Sequence, residues 1–485
     1  MKAYPYQEDD VAWMLEDRYP DVVCPWHEMG VGKTVEAAML VEKLVTDPRR
    51  DWGVVVFVPA AVRDTWEREL RRWAPSARVR VARLARPASK PRKDGTRLRA
   101  KRPADPFVWP EPGEVVVYGY STAQRGLGAV AQRCPGLTAL ILDEAHVLSG
   151  TSRQANELGG RMVSGRPVGG LIEAVLAAGG KVLHMTGTPF ENDPEELRRQ
   201  LKRLRVFGRT FGTDANFERH FGASYDRHGN VFWDPAPPSI LPVVSQFVRR
   251  RLADDVLPDL PPVKRSALVS LPADAERPLE RMERLVGVSA ESGGPAALAA
   301  LGRALHAEGP ALSTLRVEVA RAKIPWLLEV LDELEASRPD ETLCAYSYHV
   351  DEADEAGFVQ TFRQRPGWVV VVGSTPPRER RRRLDAYRRG RAHLACSSAI
   401  ATGLTLHGGE YGRCNRILVR LDLSWTPLRT ERQLIKRWHR PGLIEPVEVV
   451  DLVVDHYIER AVYRAHATKN NRFDSVLAAE RGCAK

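Results

Sequence analysis

Short apolar runs alternate with segments of helical periodicity along the first two hundred residues of the chain. Four runs are rich in β-branched residues and end where small or polar residues take over, which is typical of buried strands. They are GVVVFVPA (53–60), EVVVYGY (114–120), LTALILDEA (137–145) and KVLHMTGT (181–188). Strands that alternate with helices predict a parallel α/β sheet, whose ligands bind at the carboxyl ends of the strands.

The same alternation begins again near residue 315. A helix is expected over 324–334, with Pro325 in its first turn and one apolar face made by Ile324, Leu327, Leu328, Leu331 and Leu334. Five strand-like runs follow, namely TLCAYS, WVVVVGS, AHLACSS, NRILVRL and VEVVDLV. This half of the chain therefore predicts a second α/β domain.

Between the two halves lies a stretch without clear alternation that is rich in proline, glycine and alanine. Such a composition favours helical connectors over a third sheet. The expected division is a first α/β domain over 1–205, a mostly helical region over 206–312, a second α/β domain over 313–468 and a tail over 469–485.

Charge adds a candidate partner to this picture. The 485 residues carry a formal net charge of +10, with a pI near 9.4, which favours a polyanion such as nucleic acid. Residues 78–102 alone hold eleven Lys or Arg and one acid, Asp94. This basic insert is either a solvated loop or a nucleic-acid contact, and the sequence leaves both open.

Cysteine spacing and hydropathy exclude several classes of protein. The six cysteines are scattered without a CxxC pair, which argues against structural zinc and against a disulfide framework. The N-terminus lacks the apolar stretch of a signal peptide, and the longest apolar run, VVVFVPAAV (54–62), is too short to span a membrane. The expectation is a cytosolic or nuclear protein in a reducing compartment.

The first chemical motif is WHEMGVGKT, followed at once by residues that suit a helix. Gly30 and Gly32 allow backbone amides to approach phosphate oxygens at a helix N-terminus. Lys33 supplies charge to the β and γ phosphates, and the Thr34 hydroxyl is a magnesium ligand. The motif predicts a phosphate-binding loop, although it opens with His27 in place of the glycine of the commonest form.

A second motif, LILDEAH, places Asp143 and Glu144 at the end of an apolar strand. Two buried carboxylates are costly without a cation, so Asp143 is expected to hold magnesium through water. Glu144 is expected to orient and deprotonate the attacking water. Together with Lys33, the pair predicts nucleotide hydrolysis.

In the second domain, TERQLIKRWHRPG predicts a helix. Gln433, Arg437 and Arg440 then share one face, at positions i, i+4 and i+7. Such a face presents two guanidinium groups, as an arginine finger requires. The alternative is a basic helix in solvent.

At this point the chain closely resembles the Swi/Snf-type ATPases, a branch of the superfamily two helicase-like motors. The ordered segments that carry the resemblance span about residues 3–465, and they are YPYQEDDVAWML, HEMGVGKT, VVFVPAAVRDTWEREL, VVVYGYST, LDEAH, MTGTPFEN, FVRRRLADDVLPDLPP, GSTPPRER, ATGLTL and DLSWTP with RQLIKRWHRPG. The segments LSTLRVEVARAKIPWLLEVL and GLTL are similar to the branch that includes annealing helicases and small prokaryotic and phage proteins.

The resemblance implies two RecA-like domains with parallel sheets that bind ATP and Mg²⁺ in their cleft, with double-stranded DNA, forked or branched forms included, across both. Gln7 would recognise adenine. His146, Thr186, Thr188 and Gly403 would couple the nucleotide to DNA. Gln433, Arg437 and Arg440 would belong to the catalytic set with Lys33, Asp143 and Glu144.

Two positions depart from the family pattern. His27 stands where the family usually has Asp, while Glu28 conforms; the imidazole is expected to be tolerated, and a titrating group that affects turnover is the alternative. The segment SSAIATGLTL keeps only Gly403 of the paired glycines usual there, which puts coupling through it in doubt.

The resulting prediction is an ATP-dependent double-stranded DNA translocase, in the cytoplasm of a prokaryote or encoded by a phage, or nuclear if eukaryotic. One alternative is a strand-separating DNA or RNA helicase, since DEAH occurs there too. Another is the motor subunit of a restriction or phage-defence complex. A nonenzymatic DNA-binding scaffold is disfavoured because the catalytic residues are intact.

Overall fold

The computed structural model describes residues 2–16, 21–82, 107–124, 127, 133–287, 300–304, 307–400, 405–412, 415–424 and 432–478. The chain forms two compact units, Met1–Val256 together with Phe473–Lys485, and Leu257–Arg472. Each unit contains a parallel sheet with helices packed on it, so the predicted α/β class with two RecA-like domains is confirmed.

Seven parallel strands build the sheet of the first unit, in the order β11-β1-β8-β5-β2-β4-β3. The strands of this unit, including two separate antiparallel hairpins (β6 with β7 and β9 with β10), are β1 Val22–Pro25, β2 Gly53–Val58, β3 Arg78–Val81, β4 Glu114–Gly119, β5 Thr138–Asp143, β6 Arg161–Val163, β7 Arg166–Val168, β8 Lys181–Met185, β9 Ser224–Tyr225, β10 Val231–Phe232 and β11 Val248–Arg249. The four runs predicted as strands correspond to β2, β4, β5 and β8.

Helices cover this sheet because their apolar faces match the buried strands. The helices that the structure describes in this unit are α1 Pro5–Leu15, α2 Lys33–Val45, α3 Arg63–Trp73, α4 Tyr120–Gln124, α5 Arg153–Gly159, α6 Leu171–Ala177, α7 Pro194–Arg203, α8 Phe207–Thr210, α9 Asp214–His220, α10 Leu241–Val244 and α11 Ala253–Val256. One core unites Leu40 of α2 and Trp66 of α3 with Val54 and Val56 of β2. This packing fixes α2, whose N-terminus follows the predicted phosphate loop.

The second unit has a six-stranded parallel sheet in the order β12-β17-β16-β13-β15-β14. Its strands are β12 Val263–Ser270, β13 Leu343–Tyr346, β14 Trp368–Val371, β15 His393–Cys396, β16 Ile417–Arg420 and β17 Val447–Val454. The helices that the structure describes in the second unit are α12 Glu276–Val286, α13 Gly309–Ala322, α14 Ile324–Ser337, α15 Phe358–Gln364, α16 Pro377–Arg388, α17 Gln433–Ile435 and α18 Tyr457–Val476. The helix expected over 324–334 is present as α14, with Leu327 and Leu331 fully buried.

The stretch 206–312 contains strands in addition to the expected helices. It supplies the β9–β10 hairpin, β11 to the first sheet and β12 to the second sheet. The strands β9, β10 and β11 have two residues each, too few to show a period. The eight-residue strand β12 is mostly exposed, so it lacks the apolar run of a buried strand. The basic insert begins as β3, and residues 83–102 lie outside the described part of the chain.

Candidate active site

The phosphate loop, residues 26–34, connects the carboxyl end of β1 to the first turn of α2. Gly30 and Gly32 adopt φ values of +95° and +96°, which L side chains rarely adopt, so glycine is required at both positions. Gly32 is the N-cap of α2, and Lys33 is its first residue. The N-terminus of a helix that follows such a loop is a common phosphate-binding arrangement.

Lys33 is held inside the loop by its own backbone. The Lys33 ammonium donates to the carbonyl oxygens of His27 at 2.8 Å and Glu28 at 3.1 Å. Burial and Glu144 raise the pKa of Asp143, and the charge of Lys33 opposes that rise in part. A phosphate group offers the ammonium stronger, charged acceptors than the two carbonyls.

Helix α1 lies directly against the phosphate loop. Tyr6 donates its hydroxyl to the carbonyl oxygen of Val31 at 2.5 Å, and the Gln7 amide nitrogen lies 3.5 Å from the same oxygen. A Cβ added to Gly32 would lie 2.3 Å from that nitrogen, so Gly32 is also required by close approach. Gln7 therefore sits beside the loop that it was expected to serve, and its role in adenine recognition stays a prediction.

The acidic pair stands at the carboxyl end of β5. Trp66 of α3 donates its indole N–H to Asp143 Oδ2 at 2.7 Å, and the Glu144 amide donates to Oδ1 at 3.0 Å. Tyr120 donates its hydroxyl to the Asp143 carbonyl oxygen at 2.6 Å. Glu144 itself has φ +52°, a left-handed conformation that costs energy in a non-glycine residue.

Burial and the neighbouring Glu144 raise the pKa of Asp143 to about 6. A carboxyl group in this environment gains from a cation, which would offset both causes of the shift. Thr34, in the first turn of α2, supplies a hydroxyl oxygen, and hard oxygen ligands of this kind suit Mg²⁺. The role of Asp143 and Thr34 as magnesium ligands stays a prediction.

The residues expected to couple the nucleotide to DNA lie at neighbouring strand ends. His146 Nδ1 is 3.5 Å from Glu144 Oε2. After β8, the Thr188 amide donates to Thr186 Oγ1 at 3.1 Å, and both side chains are buried. A Cβ added to Gly187, between them, would lie 3.3 Å from the His27 carbonyl oxygen, so this turn packs against the phosphate loop.

His27 forms a fully buried cluster with Asp10 of α1 and Glu36 of α2. Its Nε2 lies 3.1 Å from Asp10 Oδ2 and 3.4 Å from Glu36 Oε2. Burial raises the pKa of Glu36 well above its usual range, which favours the neutral acid. Burial also lowers the pKa of His27, which favours the neutral ring.

One nitrogen of His27 decides the chemistry of the cluster. The Arg251 amide donates to His27 Nδ1 at 3.1 Å, so the single proton of the neutral ring sits on Nε2 and faces the two carboxyl groups. A metal ion on Nε2 would leave the ring without any proton. The three side chains have the types of metal ligands, but this hydrogen bond favours a shared-proton cluster over a metal site.

Arg249 and Arg251 are partners of Asp10 that the sequence did not single out. Both guanidinium groups pair with Asp10, at 2.9 and 2.8 Å, and the pKa of Asp10 is lowered by hydrogen bonds from His27 and Arg251 that outweigh its burial. Their spacing could have indicated the pairing, because Arg249 and Arg251 are two positions apart and such residues of an extended segment share a face. Trp66 gave no such signal, because its contact with Asp143 bridges 77 positions.

The arginine segment, residues 433–440 of the second unit, is not the continuous helix expected. The α-helix covers Gln433–Ile435, and turns follow it. Individual bonds hold the segment instead, since the Trp438 indole donates to the Tyr387 hydroxyl at 2.9 Å and His439 donates to the Pro261 carbonyl oxygen at 2.9 Å. The prediction of a continuous helix was therefore wrong, and the shared face of Gln433, Arg437 and Arg440 stays a prediction.

The segment nevertheless places its polar side chains in defined positions. Gln433 and Arg437 are buried, and the Arg437 carbonyl oxygen accepts from the Leu406 amide at 2.8 Å. Arg440 donates to Thr405 Oγ1 at 3.3 Å. Both contacts connect the segment to Thr405 and Leu406, the last two residues of the ATGLTL motif. Gly403, in the same motif, lies outside the described residues.

A model of the SNF2-related domain matches residues 6–277, more than half of the chain. The chain belongs to the SNF2-related family. The match includes the phosphate loop, the acidic pair and the turn after β8, so this SNF2-related protein carries a helicase-like ATPase core. Its narrower branch within the family stays a prediction.

Two relatives show how far the likeness extends. The mouse DNA annealing helicase and endonuclease ZRANB3 is 24% identical over 273 residues, which are 55% of this chain and 22% of that protein. The bovine SWI/SNF-related matrix-associated actin-dependent regulator of chromatin subfamily A-like protein 1 is 25% identical over 445 residues, 88% of this chain and 40% of that protein. The SNF2-related chain thus spans less than half the length of these relatives.

Among solved structures, the helicase domain of Hef from Pyrococcus furiosus matches with a TM-score of 0.50 and 14% identity, covering 95% of this chain and 97% of that one. This likeness shows the fold.

In the described part of the SNF2-related chain, every helix is too short or too polar to cross a membrane.

Proposed function

We propose that this chain is an ATP-dependent motor that translocates along double-stranded DNA. One observation carries the proposal: the phosphate loop with Lys33 follows the carboxyl end of β1, and the acidic pair Asp143 and Glu144 stands at the carboxyl end of β5, at the same edge of one parallel sheet. This is the edge at which ligands bind in parallel sheets.

In the proposed reaction, the Lys33 ammonium moves from the carbonyl oxygens of His27 and Glu28 to phosphate oxygens of ATP. Thr34 and Asp143 would hold magnesium, which would supply positive charge to stabilise the negative charge that develops during the reaction. Trp66 and the Glu144 amide keep Asp143 oriented, since each occupies one of its oxygens. Glu144 has a left-handed backbone, and its carboxylate orients the attacking water and accepts the proton of that water.

The second unit is proposed to complete this chemistry. Arg437 and Arg440 are the candidate arginine fingers, with Gln433 beside them, in the cleft that the family resemblance implies. His146, Thr186 and Thr188 are proposed to transmit the state of the nucleotide to DNA, because His146 lies 3.5 Å from Glu144 and Gly187, between the two threonines, packs against the phosphate loop. Gly403 is proposed for the same role on sequence grounds alone.

Charge and relatives support DNA as the track. The chain carries +10, and contacts to phosphates need no base sequence. One relative's name describes a DNA annealing helicase, and another's a regulator of chromatin. Double-stranded DNA, forked or branched forms included, is therefore the proposed substrate.

The test is the steady-state ATPase rate with duplex DNA, single-stranded DNA and RNA, together with ATP-driven displacement of the third strand from a triplex. The translocase proposal expects the largest stimulation by duplex and displacement that needs ATP. Glu144→Gln is the matched control, since it retains ATP binding. Stimulation that is greatest with single strands or RNA, with efficient unwinding of tailed duplexes, would instead establish a strand-separating helicase.

A further inference from the structure

The β9–β10 hairpin exposes apolar side chains on both of its faces. Tyr225 pairs with Val231, and Ser224 pairs with Phe232. Paired residues of an antiparallel ladder share a face, so Tyr225 and Val231 lie on one side and Phe232 lies on the other. Their exposed fractions are 58%, 38% and 57%, although aromatic rings gain most from burial.

The turn of this hairpin is fixed by one side chain. Asp226 Oδ1 accepts from the amides of His228 at 2.8 Å and Asn230 at 2.9 Å, and its Oδ2 accepts from Asn230 Nδ2 at 2.8 Å. Gly229 takes φ +80° within the turn. A two-stranded hairpin is marginal by itself, so these bonds hold the exposed rings in place without burying them.

The base of the hairpin is anchored in an aromatic cluster. Trp233, directly after β10, is buried and meets the rings of Phe217 and Phe221 edge to face, at centroid distances of 6.0 and 6.4 Å. The Asp234 amide donates to the Phe221 carbonyl oxygen at 3.2 Å. The exposed rings therefore project from a rigid platform on the first unit.

Two exposed arginine side chains, Arg219 of α9 and Arg227 of the turn, offer positive charge to a polyanion. Within the described residues, Arg227 at the tip and Arg219 on α9 make hydrogen bonds to His228 and Asn216 and no ion pair. Exposed aromatic rings beside cationic side chains are the combination with which proteins stack unpaired bases.

We propose that the β9–β10 hairpin places Tyr225 and Phe232 against unpaired bases at a branch point of DNA, with Arg227 on the adjoining phosphates. This inference rests on the proposed function and adds to it a preference for branched over linear duplex. Rings on opposite faces of a rigid hairpin suit a junction, where bases are accessible on both sides of a wedge.

The test compares two DNA molecules with equal numbers of base pairs, a forked duplex with unpaired arms and a linear duplex closed by loops distant from the tested region. Tyr225→Ala with Phe232→Ala should raise the forked-DNA concentration for half-maximal ATPase by about tenfold, since each stacked base contributes substantially. The value for linear duplex should stay the same. The β6–β7 hairpin offers a matched control, Val163→Ala with Val168→Ala, because these side chains are 49% and 60% exposed and aliphatic.

The fluorescence of 2-aminopurine placed at the branch of the DNA measures base stacking directly, because stacking on an aromatic side chain quenches this fluorescence. Wild type and the variant Tyr225→Phe with Phe232→Tyr should quench it, and the double alanine variant should not. The proposal is overturned if the double alanine variant binds both DNA molecules equally more weakly than wild type, or if its binding to the fork is unchanged. Unchanged binding would indicate that Tyr225 and Phe232 contact a protein partner instead. If wild type itself responds to no DNA, the proposed function fails first and separately.

Discussion

The phosphate loop of the first unit and the arginine segment of the second unit are both short, polar and irregular, but they are held in different ways. The loop is bounded by regular elements, β1 before it and α2 after it, and contacts from Tyr6 and Arg251 add to their hold. The arginine segment is fixed along its length, by bonds from Trp438, His439 and the Arg437 carbonyl oxygen. A motif bounded by periodic elements can be placed from sequence, whereas one held by single distant contacts cannot.

The largest effect is expected from the arginine segment. If Arg440 meets the γ-phosphate in the transition state, Arg440→Ala should lower the DNA-stimulated turnover by about 10³ or more, with ATP affinity retained. Arg437→Ala should lower turnover similarly and reduce stability as well, because that side chain is 3% exposed. Turnover and ATP affinity are measured on the same preparations; near-normal turnover in Arg440→Ala would show a purely structural segment.

In the first unit, Glu144→Gln should lower turnover by about 10² to 10⁴, because the amide cannot accept the proton of the attacking water. ATP affinity and thermal stability should change little, since the left-handed backbone at 144 is retained. The comparison is sharpened by Lys33→Ala, which should weaken ATP binding as well as turnover. A Glu144→Gln variant with wild-type turnover would remove the acidic pair from the chemistry.

How much the sequence could predict follows from the same contrast. The strands β2, β4, β5 and β8 and the positions of Lys33 and Asp143 at their edge follow from periodicity and parallel topology. The Asp10, His27 and Glu36 cluster does not, because its members belong to three elements and meet only when α1 and α2 pack. The failed helix over the arginine segment has the same cause: helical spacing was outweighed by tertiary contacts of Trp438 and His439.

The His27 cluster gives a test of intermediate size. His27→Leu should lower the free energy of unfolding by about 1 to 3 kcal/mol, since the Arg251 amide and the Asp10 carboxylate lose a buried partner. It should also raise the KM for ATP, because α1 contacts the phosphate loop. His27→Gln is the matched control, since its amide can accept from Arg251 and donate to Asp10; chemical denaturation in which both variants are equally stable would contradict the hydrogen-bonding role.

The smallest expected effect concerns acid. His184 is fully buried, accepts from the Trp26 indole on Nδ1 and faces Gln200 Oε1 with Nε2, and burial lowers its pKa to about 4. Because the unfolded ring has a pKa near 6.5, the unfolded state binds a proton that the folded state does not. Stability should therefore fall between about pH 6.5 and pH 4, by at most about 3 kcal/mol from this group.

The measurement is the free energy of unfolding from denaturant titrations at a series of pH values. His184→Gln should lower stability at pH 8 through altered packing and should reduce the slope between pH 6.5 and pH 4. Burial lowers the pKa of His27 in the same direction, so part of the slope should persist. An identical slope in the variant would show that His184 is not the group responsible.

The position of β1 inside its sheet has a consequence for how the chain is made. β1 pairs with β8 through Val22 and Val182, and with β11 through Cys24 and Val248, so its neighbours are synthesised long after it. Contacts this distant in sequence are slow to form. On the ribosome, the loop that begins at Trp26 thus waits for residue 251, whose amide bonds to His27, and a nascent chain shorter than this cannot assemble the complete nucleotide site.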